Sequence, residues 1–130
     1  MNIPAELKFM ETDEWVKVDG KTATIGVSDY AQDQLSDVVF VEIIVSVGDI
    51  LSKGQQIATI ESVKAAADVN TPLSGKVVAV NEGLPQSPEI INKDPFGQAW
   101  IVKIEMSGPA ELEAMMDSDG YDAYCKERSH

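Results

Sequence analysis

The sequence predicts a mainly β fold, an antiparallel core carrying short peripheral helices, and three observations lead there. Apolar residues cluster in short runs rich in Val, Ile and Thr, as in Val38 to Val45, Gln56 to Ile60 and Val77 to Val80. That composition suits a pleated, half-buried surface. Turn signals separate the runs at Asp19-Gly20, Val47-Gly48-Asp49 and Pro72-Leu73-Ser74-Gly75, and Asp-Gly between β-rich segments is a strong hairpin signal. Helix-starting residues precede only short segments, one after Ser28 and two near the C-terminus. With 130 residues, one domain is the expected count, large enough to bury about two-thirds of its unfolded surface.

Taken in order, Leu7 to Met10 and Glu14 to Val18 read as strands, the second joined to Lys21 to Ile25 through Asp19-Gly20. Ser28 or Asp29 caps a helix through Leu35, with Gln32 three residues beyond Asp29 to support it. Val38 to Val45 is apolar except for Glu42 and Ser-free, which predicts a strand buried on both faces. Strands on either side of Lys64 follow, then a strand within Gly75 to Asn81. Gly83 to Ala99 contains Pro85, Pro88 and Pro95 with two glycines, and predicts a long surface loop. Trp100 to Met106 alternates as the last strand. Pro109 suits the first turn of a helix over Ala110 to Met116, and Ser118 is the expected N-cap of a helix ending near Glu127. Leu112, Met115 and Met116 on one helix, and Tyr121, Tyr124 and Cys125 on the other, read as core-packing faces.

The chain is organised around Glu61 to Asn70, ESVKAAADVN. Two strands meet there in a tight hairpin whose tip carries Lys64 among small neighbours, which leaves its ε-amine sterically open. Ala65 to Ala67 favour helix by propensity, but three residues cannot nucleate one between β-rich flanks. A lysine at a hairpin tip is by default a solvated charge; a modified lysine is the alternative. Gly48 before it and Gly75 after it each stand beside a turn signal, so Gly48 to Val63 and Ala65 to Val80 read as two similar halves hinged at Lys64.

Composition excludes several chemistries. A net charge of −12 repels phosphate backbones and speaks against nucleic-acid binding. Such a surface favours less acidic partners, though acidity alone proves none. Apolar residues make up 44% of the chain, yet no run reaches membrane-spanning length. The segment Met1 to Glu6 has neither signal-peptide nor transit-peptide character. The single cysteine, Cys125, fits a reducing compartment and reads as a packing residue. The single histidine, His130, makes a histidine-based triad untenable, and one Cys with one His cannot build a structural zinc site. Met115 to Gly120 places Met where a calcium loop needs its first oxygen ligand.

Asp13-Glu14-Trp15-Val16, Ala23-Thr24-Ile25-Gly26, Val39-Phe40-Val41-Glu42, Glu61-Ser62-Val63-Lys64-Ala65, Pro72-Leu73-Ser74-Gly75 and Ile90-Ile91-Asn92-Lys93-Asp94-Pro95 follow one another in an order that resembles the H protein of the glycine cleavage system. The resemblance covers nearly the whole chain. It implies a barrel-sandwich hybrid of the lipoyl/biotinyl type, with a hammerhead over about residues 22–106 and C-terminal helices over about 109–127. It implies lipoate in amide linkage on Lys64, recognition by a lipoyl-attaching enzyme through Glu61 and Gly48, and contact of Glu14 and Asp68 with the amine of an aminomethyl cargo. Without it, Glu14, Glu61 and Asp68 read as surface charges. The implied partners are glycine decarboxylase, aminomethyltransferase and dihydrolipoamide dehydrogenase, served by a monomer without turnover of its own. Bacterial cytoplasm is the expected location, with the mitochondrial matrix as the alternative.

Two other readings stay open from the residues. A lipoyl relay protein, donating lipoate to other acyltransferases, would look much the same. A biotin carrier usually sets its lysine between methionines, where this chain has Val63 and Ala65. The chain also departs from the family pattern at Asp13 and Tyr30, where histidines are common, at Gln34, and at Ser36 and Ala99, where glycines are frequent.

Overall fold

The computed structural model describes residues 2–128; Met1, Ser129 and the lone histidine His130 lie outside them. The elements run β1 (Lys8–Phe9), β2 (Glu14–Asp19), β3 (Thr22–Val27), α1 (Asp29–Leu35), β4 (Val38–Ile43), β5 (Ile50–Leu51), β6 (Gln56–Ser62), β7 (Ala66–Asn70), β8 (Gly75–Val80), α2 (Ile90–Lys93) and β9 (Val102–Met106). A 3-10 segment (Pro109–Ala114) and α3 (Ser118–Arg128) complete the chain. The strands form a six-stranded sheet ordered β1-β2-β3-β9-β8-β5 and a three-stranded sheet ordered β4-β6-β7. The two expected halves do meet, since β6 pairs antiparallel with β7 and β5 with β8.

The inner faces of both sheets bury Val16, Ile25, Val41, Ile60, Val77 and Ile104 in one core. Each such side chain contributes roughly 1.5–3 kcal/mol by leaving water. Gly75 is required where β8 crosses β9: a Cβ there would lie 2.3 Å from the Glu105 carbonyl oxygen. A second cluster forms on the other side of β2, where Leu7, Phe9, Trp15, Tyr121 and Cys125 are buried together. Phe9 and Tyr121 stack at 4.4 Å between ring centroids, docking α3 on the first strand pair. The Trp15 indole lies across its cross-strand partner Gly26, where a Cβ would approach it to 2.7 Å. Its N–H donates to the Pro95 carbonyl at 3.0 Å.

Several expectations are corrected. β4 is not buried on both faces, for Val39 and Phe40 are 56% and 45% exposed, and Ile44 just beyond it is 49% exposed. A three-stranded sheet covered on one side alternates inward and outward, and an almost uniformly apolar run hides that alternation. Gly83 to Ala99 is not a free surface loop. It contains α2, and Leu84, Ile91 and Ala99 are buried in the core. The last strand begins at Val102 instead of Trp100. The first C-terminal helix is a 3-10 segment of six residues, and Ser118 is already inside α3. Asp117 does the capping, its Oδ1 accepting from the Gly120 amide at 2.8 Å.

Ser28 caps α1 as expected, accepting from the Ala31 amide at 3.1 Å. At the other end Ser36 has φ 64° and ψ −148°, a region populated almost only by glycine. Asn92 ties this end down, donating to the Ser36 carbonyl and accepting from the Val38 amide at 2.9 Å. Those bonds use the Ser36 carbonyl and the Val38 amide, both of which Ser36→Gly retains. Ser36→Gly should therefore raise stability by about 1 kcal/mol, read as a higher urea midpoint with unchanged slope; a fall in midpoint would show that the Ser36 conformation is unstrained.

Candidate functional site

Lys64 stands at the end of the β6–β7 hairpin, and the turn beneath it is tightly bonded. The Ser62 amide donates to the Ala65 carbonyl at 2.8 Å. The Ser62 hydroxyl oxygen accepts from the Ala65 amide at 3.0 Å and the Lys64 amide at 3.3 Å. The Val63 amide donates to the Asp37 carbonyl at 3.0 Å, fastening the turn to the chain that enters β4. Lys64 and its neighbours Val63 and Ala65 are exposed. No ion pair engages Lys64 among the described residues. The side chain is therefore open to an enzyme while its backbone is held.

Between the hairpin strands, β2 and α1 lies a cavity of about 200 Å3. Val27, Leu35 and Ile60 supply apolar wall, and Thr12, Glu14 and Asp68 supply polar groups. Glu14, the first residue of β2, is only 2% exposed, so the surface-charge reading fails for it. Its carboxylate accepts from the Thr12 hydroxyl and, at 3.5 Å, from the Asn70 amide. Burial pushes its pKa up to about 7, against the pull of the Thr12 and Asn70 hydrogen bonds and with a further push from the Asp13 charge.

Asp68 borders the same cavity on β7, but its carboxylate is exposed and accepts from the Gln56 side-chain amide at 3.1 Å. Glu61 is exposed on β6, paired with Phe40 on one side and Ala66 on the other. Gly48 is not part of the hairpin ladder. Its amide donates to Val77 of β8 at 2.8 Å, and φ of 98° explains glycine there on conformational grounds.

Sequence reading missed Thr12, Asn70 and the group that closes the cavity's flank. Asp13, at φ 77°, accepts from the Tyr121 hydroxyl at 2.7 Å and pairs with the Arg128 guanidinium. Arg128 lies 4.0 Å from the Tyr30 ring centroid and 4.4 Å from that of Tyr124. The Ser28 hydroxyl and Tyr121 hydroxyl are 2.6 Å apart, and burial pushes the Tyr121 phenol up. Two departures from the family pattern, Asp13 and Tyr30, thus converge on one arginine. No periodicity links residues 13, 30 and 128; only Thr12, two residues before Glu14, lay close enough in sequence to suggest a partner.

The raised Glu14 pKa has a stability sign. The neutral form is favoured by the fold, so its contribution is complete below the ordinary value of 4.5, declines as pH rises, and is lost above about 7. Glu14→Gln cannot ionise. Its stability relative to the parent should rise by about 3 kcal/mol between pH 4 and pH 8, measured by urea unfolding at both pH values. The same difference at both would mean that Glu14 titrates as an exposed acid.

Among the described residues, no helix is long and apolar enough to cross a membrane and no group of His, Cys, Asp and Glu is arranged to hold a metal ion. The family model described as glycine cleavage H-protein matches residues 7–128. The chain is 50% identical over 122 residues to "Glycine cleavage system H protein 2, mitochondrial" of Arabidopsis thaliana, covering 94% of this chain and 78% of that one. It is 49% identical over 126 residues to the glycine cleavage system H protein of Symbiobacterium thermophilum, covering 97% and 98%. Among solved structures, the crystal structure of a glycine cleavage system H protein from Mycobacterium marinum matches with a TM-score of 0.81 at 25% identity, over 98% of this chain and all of that one. That match confirms the lipoyl-type barrel-sandwich fold. On the family match and the near-full-length relatives, the chain belongs to the glycine cleavage H-protein family.

Proposed function

We propose that the chain is the lipoyl-carrying shuttle of the glycine cleavage system, with Lys64 as the attachment residue. It takes the aminomethyl group of glycine from glycine decarboxylase to aminomethyltransferase, and its dithiol to dihydrolipoamide dehydrogenase. The observation that carries this reading is the pairing of an open lysine on a fixed turn with a nearby cavity that ends on a buried carboxyl group. Lysine plus lipoyl extends roughly 14 Å, and four strand residues from Lys64 to Asp68 span about 13 Å. The arm is long enough to fold back to the level of Asp68.

A lipoyl amide supplies a disulfide that can accept the cargo and, once reduced, two electrons to return. The chain's own residues do the rest. Lys64 provides the stem and loses its charge on acylation. Leu35, Ile60 and Val27 offer apolar wall to an alkyl arm. Glu14, neutral or ionised near pH 7, meets a cationic amine as its carboxylate, and Asp68 adds a second acid at the rim. A protonated amine has no lone pair with which to expel the sulfur, so holding that proton preserves the cargo. Glu61 serves recognition by the lipoyl-attaching enzyme through its exposed side chain, and Gly48 by keeping the turn that sets β5 in register.

The buried carboxyl favours the shuttle over the relay, because a protein that only passes lipoate onward has no amine to store. Val63 and Ala65 flanking the lysine disfavour a biotin carrier. The relatives named above come from a bacterium and from a mitochondrial protein; we place this chain in bacterial cytoplasm, as a monomer.

Protein isolated from its native host should carry a lipoyl amide at Lys64 by peptide mapping and should support glycine–bicarbonate exchange with glycine decarboxylase. Lys64→Arg should abolish both. An unmodified or biotinylated Lys64 would refute the assignment, and efficient lipoyl transfer to acyltransferase domains without exchange would favour the relay. The double variant Glu14→Gln, Asp68→Asn should be lipoylated normally. Once loaded, it should release formaldehyde and ammonia about tenfold faster than the parent, as expected for losing roughly 1.4 kcal/mol of charge stabilisation; equal decay would leave these acids without a storage role.

A further inference from the structure

The three-stranded sheet has an outer face that nothing among the described residues covers. Cross-strand partners in an antiparallel ladder point the same way, so Phe40, Glu61 and Ala66 form one outward row. Glu42, Thr59 and Asp68 form the next. Phe40 is 45% exposed and, just past the end of β4, Ile44 is 49% exposed. The register shift between Val38 and Phe40 turns Val39 to solvent as well. Large aliphatic and aromatic side chains are thus gathered on one face and interleaved with Glu42, Glu61 and Asp68. None of the three strands carries a lysine or arginine; Lys17, Lys76 and Lys103 all lie on strands of the other sheet.

That face leads directly to the tip. Glu61 is three residues from Lys64, about 10 Å along the strand. An enzyme that draws a group on Lys64 into its active site must bring its rim around the tip. Ten ångströms is well within the footprint of a standard protein interface, so the Phe40 row lies within reach of that rim when the arm is inserted. Acylation of Lys64 removes the one positive charge at the tip and leaves the acids unopposed. A second copy of the chain would set the same carboxylates against themselves, and like charges across an interface are costly. Complementarity calls instead for an apolar recess ringed by basic groups.

We infer that the outer face of the β4-β6-β7 sheet is the surface on which glycine decarboxylase docks. Phe40 enters an apolar recess of the enzyme, and Glu42, Glu61 and Asp68 meet lysines or arginines around it. The inference rests on the carrier reading and adds to it which side of the tip is grasped. Buried aromatic anchors dominate interface energetics, while rim charges act on association and its salt dependence. Phe40 and Glu42 therefore have separable signatures.

The test uses full-length protein, fully lipoylated at Lys64 as verified by intact mass and folded as verified by thermal unfolding. Glycine–bicarbonate exchange is measured against carrier concentration at low and high salt. Phe40→Thr should raise KM for the carrier about tenfold or more with kcat little changed. Glu42→Lys, a second variant that leaves the apolar residues intact, should raise KM at low salt and flatten the rise in KM that the parent shows with added salt. Ile50→Thr alters a side chain that is 73% exposed on the other sheet and should leave KM unchanged. Parent exchange with parental KM in both face variants would overturn the docking face while leaving the carrier reading intact. No exchange by the lipoylated parent would overturn both. Slower lipoylation with unchanged KM would assign the face to the attaching enzyme and overturn the inference. So would self-association of the parent that Phe40→Thr abolishes.

Discussion

The start of β2 is pressed from both sides, and much of the site depends on that constraint. Successive strand residues point to opposite faces, so a strand can bury consecutive side chains only if something lies on each side. Here Trp15 points toward Phe96, which also lies against Phe9, and its indole N–H is bonded to Pro95. With Trp15 fixed on that side, Glu14 has no choice but to point the other way, into the cavity beside β7. A carboxyl group that the composition would place in water is thereby held dry by the packing preference of its neighbour. The cost of burying it is offset in part by the Thr12 hydroxyl and the Asn70 amide.

Much of the frame was legible because local chemistry and tertiary position agreed. The β2–β3 hairpin turns at Gly20-Lys21, one residue beyond the Asp19-Gly20 signal, Ser28 caps α1, and the glycines flanking Lys64 mark halves that pair as β5 with β8 and β6 with β7. Legibility failed where burial came from distant chain. Nothing near Gly83 to Ala99 reveals that Asn92 would bond α1 and β4, or that Pro95 would receive an indole. The prolines there set tight turns in a packed segment instead of marking a free loop. Likewise β4 was misread because Val and Phe occupy outward positions that a purely structural strand would give to polar residues.

The site itself was legible in parts of different kinds. Lys64 could be singled out from its place between two similar halves. Glu14 and Asp68 came only through resemblance, since spacing of 54 residues says nothing about a shared cavity. The structure separates their situations. Glu14 is enclosed and titrates near neutrality, whereas Asp68 faces solvent and is bonded to Gln56. Beside them, Asp13 and Arg128 join the loop before β2 to the end of α3, so the C-terminal helix steadies the residue that adjoins Glu14. Tyr30 and Tyr124 flank the arginine with the aromatic faces that a guanidinium favours. Asp13 and Tyr30 are thus explained together: an acid and a ring stand where both can engage the same cation.

The Ser62-bonded turn has a consequence for how freely a group on Lys64 can move. Because the amides on both sides of the tip are already spoken for, the backbone contributes almost no disorder of its own. All swinging is left to the rotatable bonds of the side chain and whatever it bears. When such an arm threads into a narrow channel, the entropy surrendered is that of a short flexible tether, and the domain behind it behaves as a rigid post. Loosening the post would enlarge the volume the tether explores, dilute its far end, and add a folding-like penalty to every insertion.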